Sequence, residues 1–381
     1  MAEVLDFDEF YFEESMFDHN HYVPVLKWRQ GEYLALSRLA ATVMDWVTPL
    51  FEVPTEAWDF EAEAPAKSLD EHLSKFGMRL KQKWDTRRCF VDSPFIDGDA
   101  CVESGAHHLA HIFDLARAAG AMPVPVFGLD RSEAYVAAVR TIVDRDGRGA
   151  CLRLTPDDFG ISMRAEVNAL LEGIGIGEGA CDLVLDCAAD IATSPKMQAL
   201  VWKGLLDELP KFDEWRSVTI AGTSFPQRLP SASYRPSGRI KRHDWLGYKS
   251  LVGMLPAGTR VPTFGDYAVA HPETELIDPR MLDPTARVKY TIDDEWFIAM
   301  GVQVKKHGRA QYADICRSIV SARPPIFMGR AYSHGDQFIE DCASGRGSTG
   351  GASTWPMVGS NHHVTKVVRD VATLFGASTL P

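Results

Sequence analysis

One unit recurs along this chain from residue 22 onward: a short apolar stretch, a polar or charged residue at its end, a loop, and a segment of helical periodicity. The apolar stretches fall at residues 22–27, 47–52, 88–92, 123–127, 150–154, 182–186, 217–222 and 260–265. Helical patterns follow seven of them, near 32–41, 68–84, 105–119, from 132, 163–171, 195–209 and 244–255. Alternation of this kind predicts parallel strands joined by helical crossovers. Short, almost continuously apolar strands are what a parallel sheet covered on both faces requires. Eight units in about 245 residues match a (β/α)8 TIM-like barrel, with an open doubly wound sheet as the alternative.

Local signals punctuate the units. Ser68 followed by Glu71 reads as a capping box. Leu109, Ile112, Phe113 and Ala116 form one helical stripe that ends before Gly120. GIGIGEG, residues 173–179, follows a helix and precedes a strand, so it reads as a helix stop rather than a phosphate loop. His107 and His111 have metal-capable spacing but no third ligand, and read as a surface pair on an outer helix.

Three segments are expected: an acidic, aromatic leader over residues 1–20, a barrel body over 21–275, and a C-terminal elaboration over 276–381. The last contains a hairpin with Asp293-Asp294 in its turn, a helix near 311–321, a short strand at 326–329 and a short helix in SHGDQFIEDCASG. A Gly/Ser/Thr loop, RGSTGGAST, comes next. Ser360-Asn361 reads as a cap for a final helix that begins at His362-His363 and closes the barrel.

Charge and cysteines narrow the functional classes. A formal charge of −12 disfavours a general nucleic-acid surface. No run of eighteen apolar residues occurs, so no membrane span is expected, and MAEVLDFDEF lacks the order of a secretory signal. Seven scattered cysteines fit reduced thiols in a cytoplasm. Residues 1–18 hold seven acids, five aromatics and no Lys or Arg, either as a leader packed on the body or as a docking segment for a partner or second subunit.

In a barrel the site lies where the strands end. The strand ends collect Lys27, Glu52, Asp92, Arg153, Asp186 and Asp266, with Thr223 and Ser224 after the seventh strand. Lys27 suits proton transfer, a Schiff base or an anion anchor. The carboxylates Glu52, Asp92, Asp186 and Asp266 suit proton transfer, or Mg²⁺ through their oxygens. Arg153 suits bidentate capture of a carboxylate or phosphate. The alternative is that these charges pair with one another and tie the barrel together. No carboxylate ends strands four and seven, which speaks against glycoside cleavage by the usual barrel plan. The loop at 224–243 carries Arg228, Arg235, Arg239, Lys241 and Arg242 and no acid, as an anion contact or a solvated basic loop. Tyr267, His334, Trp355 and His362 complete the substrate-binding candidates, the last three as the lining of a cap.

VPVLKWRQGE, FGDY with a following His-Pro, a W-x4-G hairpin, SHGD with an acidic helix, and W-x6-HH occur in this order. In that order they resemble the "beta protein" family of phages and bacterial mobile or defence loci, over residues 22–376. The resemblance implies a barrel-like α/β body with a C-terminal elaboration and a setting in phage–host conflict. It implies no particular reaction. Its matching positions are Lys27, Gln30, Gly265, Asp266, Tyr267, Trp296, Gly301, His334, Asp336, Trp355, His362 and His363. The expected function is a cytoplasmic enzyme acting on a small phosphorylated, nucleotide or carboxylated compound. The rival is a non-catalytic interaction protein docking through residues 1–18 and the cap.

Overall fold

The computed structural model describes residues 17–229, 237–273, 278, 280–281 and 283–377. The acidic leader up to residue 16 and Arg235 lie outside the described residues. The strands are β1 (Tyr22–Lys27), β2 (Leu50–Glu52), β3 (Trp58–Asp59), β4 (Ala64–Pro65), β5 (Phe90–Asp92), β6 (Val124–Phe127) and β7 (Ala150–Leu154). They continue as β8 (Cys181–Asp186), β9 (Ser217–Ala221), β10 (Ser237–Lys241), β11 (Thr263–Asp266), β12 (Thr285–Thr291) and β13 (Glu295–Gln303). Eight of them close a barrel in the order β1-β11-β9-β8-β7-β6-β5-β2, every neighbouring pair parallel. The eight repeated units are thus the eight barrel strands, and the open sheet is excluded. The second, third and eighth strands start two or three residues later than the apolar runs do.

Both faces of each strand are covered, for the reason the apolar runs suggest. Side chains alternate in and out along a strand. On β8, Leu183 and Leu185 join the outer core beneath the helices, while Val184 faces the axis with Val23, Val25, Leu50, Phe90, Val126, Cys151 and Tyr267. Gly265 also faces inward. A Cβ there would stand 2.7 Å from the carbonyl oxygen of Val23 and 3.1 Å from Ala221 and Thr219, so only glycine fits. This sets the parity of β11: Phe264 and Asp266 point outward.

Three elements depart from the sequence expectations. The last helix spans Thr354–Leu374, beginning eight residues before His362. Pro356 sits in its first turn, where a missing N–H costs little. Ser360 and Asn361 are therefore not a cap. They lie in mid-helix, and Asn361 accepts from the Gly335 N–H and donates to the Ala35 carbonyl. Val364, Val367, Val368 and Val371 of this helix join the outer core of the barrel.

Second, the basic loop contains a strand. β10 pairs antiparallel with β13 in the sheet β10-β13-β12. Third, residues 326–329 form no strand. The hairpin β12–β13 packs on the helices Gln311–Val320 and His334–Ala343 around Tyr290, Ile315, Ile319 and Ile339. Among the described residues no helix is long and apolar enough to cross a membrane.

Candidate functional site

Strand register brings the first charges together. Lys27 of β1 is level with Glu52 of β2, and Glu52 is level with Asp92 of β5. Arg153 reaches into this group from β7. Its Nε and Nη2 donate to Asp186 Oδ2 at 3.0 and 2.6 Å, its Nη1 to Asp92 Oδ2 at 2.8 Å, and its Nη2 to Glu52 Oε1 at 2.7 Å. Tyr267 donates to Asp186 Oδ2 at 2.6 Å and accepts from Arg153 at 3.0 Å. Arg131, from the loop after β6, holds both oxygens of Asp92 at 3.1 and 3.0 Å. Lys27 donates to the carbonyl of Pro272, so the loop after β11 folds over the mouth.

Glu52, Asp92 and Asp186 are each no more than 3% exposed. Burying that many charges is tolerable only with close opposite partners. Burial pushes the Glu52 carboxyl up, Asp92 and Asp186 add to the push, and Arg153 opposes it. Burial pulls the Lys27 ammonium down against the pull of Glu52. Burial alone would weaken the Arg153 charge, but Tyr267 and the three carboxylates outweigh it and hold the guanidinium well above its ordinary value. Burial and Asp186 likewise push the Tyr267 hydroxyl well up.

Two further residues belong to the mouth. Arg131 is one. The other is Glu32, in the first turn of the helix Gln30–Leu36 that follows β1. Burial raises its carboxyl to about 7 despite Arg29 and Lys27. Glu32 Oε2 and Glu52 Oε2 are both shielded from solvent and have no hydrogen-bond partner among the described residues. A raised carboxyl makes the fold less stable as pH climbs from the unfolded value through the folded one. Glu32→Gln is therefore expected to stabilise the protein at pH 8 by on the order of 2 kcal/mol, with the gain vanishing below about pH 4. Urea unfolding across pH checks this; a gain equal at both ends would mean that Glu32 is not held protonated by burial.

The remaining sequence candidates lie elsewhere. Asp266 faces outward, not into the mouth. It accepts from Tyr22 Oη at 2.5 Å and from the Ala268 N–H at 2.8 Å, and its Oδ2 is 2.9 Å from His363 Nε2. Thr223 is buried and accepts from the Phe225 N–H. Ser224 bonds Asp244 Oδ1 at 2.5 Å, pinning its loop to the helix His243–Met254. Arg228 is exposed. Arg239 lies on β10 and pairs with Glu295 at 2.9 Å, and Arg242 is fully buried against Asp370 and the Asp293 carbonyl. Among the described residues of the basic loop, Arg239 and Arg242 are thus each paired within the fold. His107 caps its helix, accepting from the Leu109 N–H. His334 lies 3.3 Å from Arg38, and Trp355 stacks on Tyr312.

Mg²⁺ at the mouth does not fit the donor set. The Arg153 guanidinium sits where an ion shared by Glu52, Asp92 and Asp186 would have to be. Among the described residues no group of three or more His, Cys, Asp or Glu is arranged to hold a metal.

His362 is fully buried and bonds none of the mouth charges. Its Nε2 donates to the Thr291 carbonyl at 2.7 Å and its Nδ1 to Asp336 Oδ2 at 2.8 Å, while Tyr290 donates to Asp336 Oδ1 at 2.6 Å and stacks on the His362 ring. His363 Nδ1 bonds Thr291 Oγ1 at 2.8 Å. Tyr22, Asp266, His363, Thr291, His362, Asp336 and Tyr290 thus form one buried chain of polar groups from the barrel wall to the C-terminal hairpin.

Fold and site together define a closed parallel α/β barrel with a charged, self-paired mouth and a C-terminal α+β part joined to it by a histidine relay. Residues 22–369 match the family model described as Beta protein, and the chain belongs to that family. No match was found among the curated proteins. Among solved structures, a triosephosphate isomerase from Bartonella henselae is similar at 12% identity, over 65% of this chain and 92% of that one, with a TM-score of 0.32. The barrel rests on the strand pairing above rather than on that likeness.

Proposed function

We propose that the barrel mouth is the active site of a proton-transfer enzyme acting on a small compound that carries a phosphate or carboxylate group. The observation that carries this reading is the pair of shielded oxygens, Glu52 Oε2 and Glu32 Oε2, which have no partner among the described residues and lie beside Lys27. Buried acceptors without partners call for a donor, and a substrate hydroxyl or amine supplies one. The shifts also suit the chemistry. Burial raises both glutamates and lowers the lysine, which brings acid and base toward the same working range. Lys27 would meet the anionic group. Arg153 would not, because its donors are taken by Glu52, Asp92, Asp186 and Tyr267; it positions the carboxylates. A setting in phage–host conflict, in a cytoplasm, is part of the proposal, and the family membership supports it without testing it.

A second reading draws on the same pairing. A mouth whose charges satisfy one another also suits a barrel without turnover that docks a protein partner through residues 1–18 and the C-terminal part. A thermal-shift screen with sugar phosphates and small carboxylates separates the two. Saturable stabilisation that disappears in both Glu52→Gln and Lys27→Ala is the expected result, at about 2–4 kcal/mol for a ligand at a hundred to a thousand times its Kd. No response from any compound, with a partner retained only by chains that keep residues 1–18, would favour docking.

A further inference from the structure

Away from the barrel mouth, a cavity of about 360 Å³ opens beside β12 and the start of the helix Thr354–Leu374. Its size lies within the usual range for small-molecule sites, about 300–1,000 Å³. Thr285, Arg287 and Lys289 line it from one face of β12, at every second residue. The alternate residues, Ala286, Val288 and Tyr290, are buried in the core on the other side. Arg309 lines it from the segment after β13, and Pro284, Val304 and Pro356 supply an apolar wall.

The charge of this cavity is unusual for the protein. Among the described residues three cations line it and no carboxylate does, in a chain of net charge −12. Residues 296–313 add Lys305, Lys306 and His307 and contain no acid. Arg287 and Arg309 reach only the backbone carbonyls of Thr285 and Gly350, each at 3.5 Å, and Lys289 donates to the carbonyl of Val269 at 2.6 Å. Among the described residues none of the three forms an ion pair. Unneutralised cations around a recess raise the local concentration of anions. Glu32, which acts on Lys289 across space, is not on the cavity wall. Burial and the neighbouring Arg287 pull Lys289 down to about 8, a cost that a bound anion would relieve.

We propose that this cavity is a second ligand site, independent of the mouth, which takes a phosphate ester of the size and charge of a nucleoside diphosphate. The two arginine forks suit the oxygens of two linked phosphates, and Lys289, whose ammonium is held by the Val269 carbonyl and lies over the Phe225 ring, adds positive charge beside them. The nucleoside would rest on Pro284, Val304 and Pro356. The opening of the Thr354–Leu374 helix, with its uncapped Ser353, adds a favourable dipole at the same end.

Calorimetric titration of the full chain with ADP, with pyrophosphate as the competitor, tests this. ADP is expected to bind saturably and more weakly as salt rises, with about a tenfold loss in Arg309→Gln and in Arg287→Gln, and partial recovery in Arg309→Lys. Glu52→Gln, in the mouth, is expected to leave ADP binding unchanged. Arg309 is exposed, so its substitution decides the matter even if Arg287→Gln fails to fold. Absence of ADP binding by folded protein, binding that survives Arg309→Gln, or binding lost in Glu52→Gln would overturn the site. Pyrophosphate binding as tight as ADP would overturn the role given to the apolar wall.

Discussion

Arg153→Met is expected to destabilise the fold by about 3–5 kcal/mol, the range seen when one partner of a buried ion pair is removed. One guanidinium holds Glu52, Asp92 and Asp186, which come from three different strands. Without it, Asp92 keeps Arg131 and Asp186 keeps the Ala188 N–H and Tyr267, but Glu52 Oε1 loses the one side-chain donor that the described residues give it. Methionine fills most of the volume, so packing loss stays secondary. Urea unfolding near neutral pH measures the effect. The pH dependence carries a second signature. Stripped of Arg153, the buried carboxylates bind protons more readily in the folded than in the unfolded state, so the variant should gain stability as pH falls toward 5. Arg153→Lys should recover only part of the loss, because one ammonium cannot serve three carboxylates. A variant within about 0.5 kcal/mol of the parent would mean that the carboxylates are solvated and the hub is not real.

The barrel was legible because its evidence is periodic. Eight apolar runs with helices between them admit few folds, and the rule that barrel strands end at one mouth brought Lys27, Glu52, Asp92, Arg153 and Asp186 together. Asp266 failed under the same rule for a reason of parity. Neighbouring residues on a strand face opposite ways, so only one of Asp266 and Tyr267 could enter the mouth, and the inward Gly265 decides for Tyr267. Glu32 and Arg131 come from a helix turn and a loop, where no alternation marks which side chain turns inward. β10 escaped notice because five mostly polar residues become a strand only through pairing with β13, more than fifty residues away. The opening of the last helix was misread because Ser360-Asn361 looks locally like a cap. Only Gly335 and Ala35, distant in sequence, show that Asn361 is bonded across a helix interface.

His362→Ala should cost a comparable amount, about 3–5 kcal/mol, and loosen the C-terminal part first. Both ring nitrogens of His362 are engaged, one by Asp336 at 2.8 Å and one by the Thr291 carbonyl at 2.7 Å. Burial would raise the Asp336 carboxyl, but His362, Ser333 and Tyr290 outweigh it and hold it below the usual range. Asp266 follows the same pattern, with His363 as the main opposing charge. A lowered folded value means stability that is present above the unfolded value of about 4 and is lost as pH falls through the folded one. The parent should therefore weaken on acidification below about pH 4, and Asp336→Asn should remove part of that slope. In His362→Ala the sign reverses, since an unpaired buried Asp336 takes up a proton on folding and the variant gains stability toward acid. Because the two residues act on one contact, the double variant should lose less than the sum of the singles, by about 1–3 kcal/mol. Hydrogen exchange locates the effect: faster exchange across β12, β13 and the Thr354–Leu374 helix, with β5 to β8 unchanged, is what a relay joining two parts requires. Uniform loosening of the whole barrel would instead make His362 an ordinary core residue, with no special part in joining them.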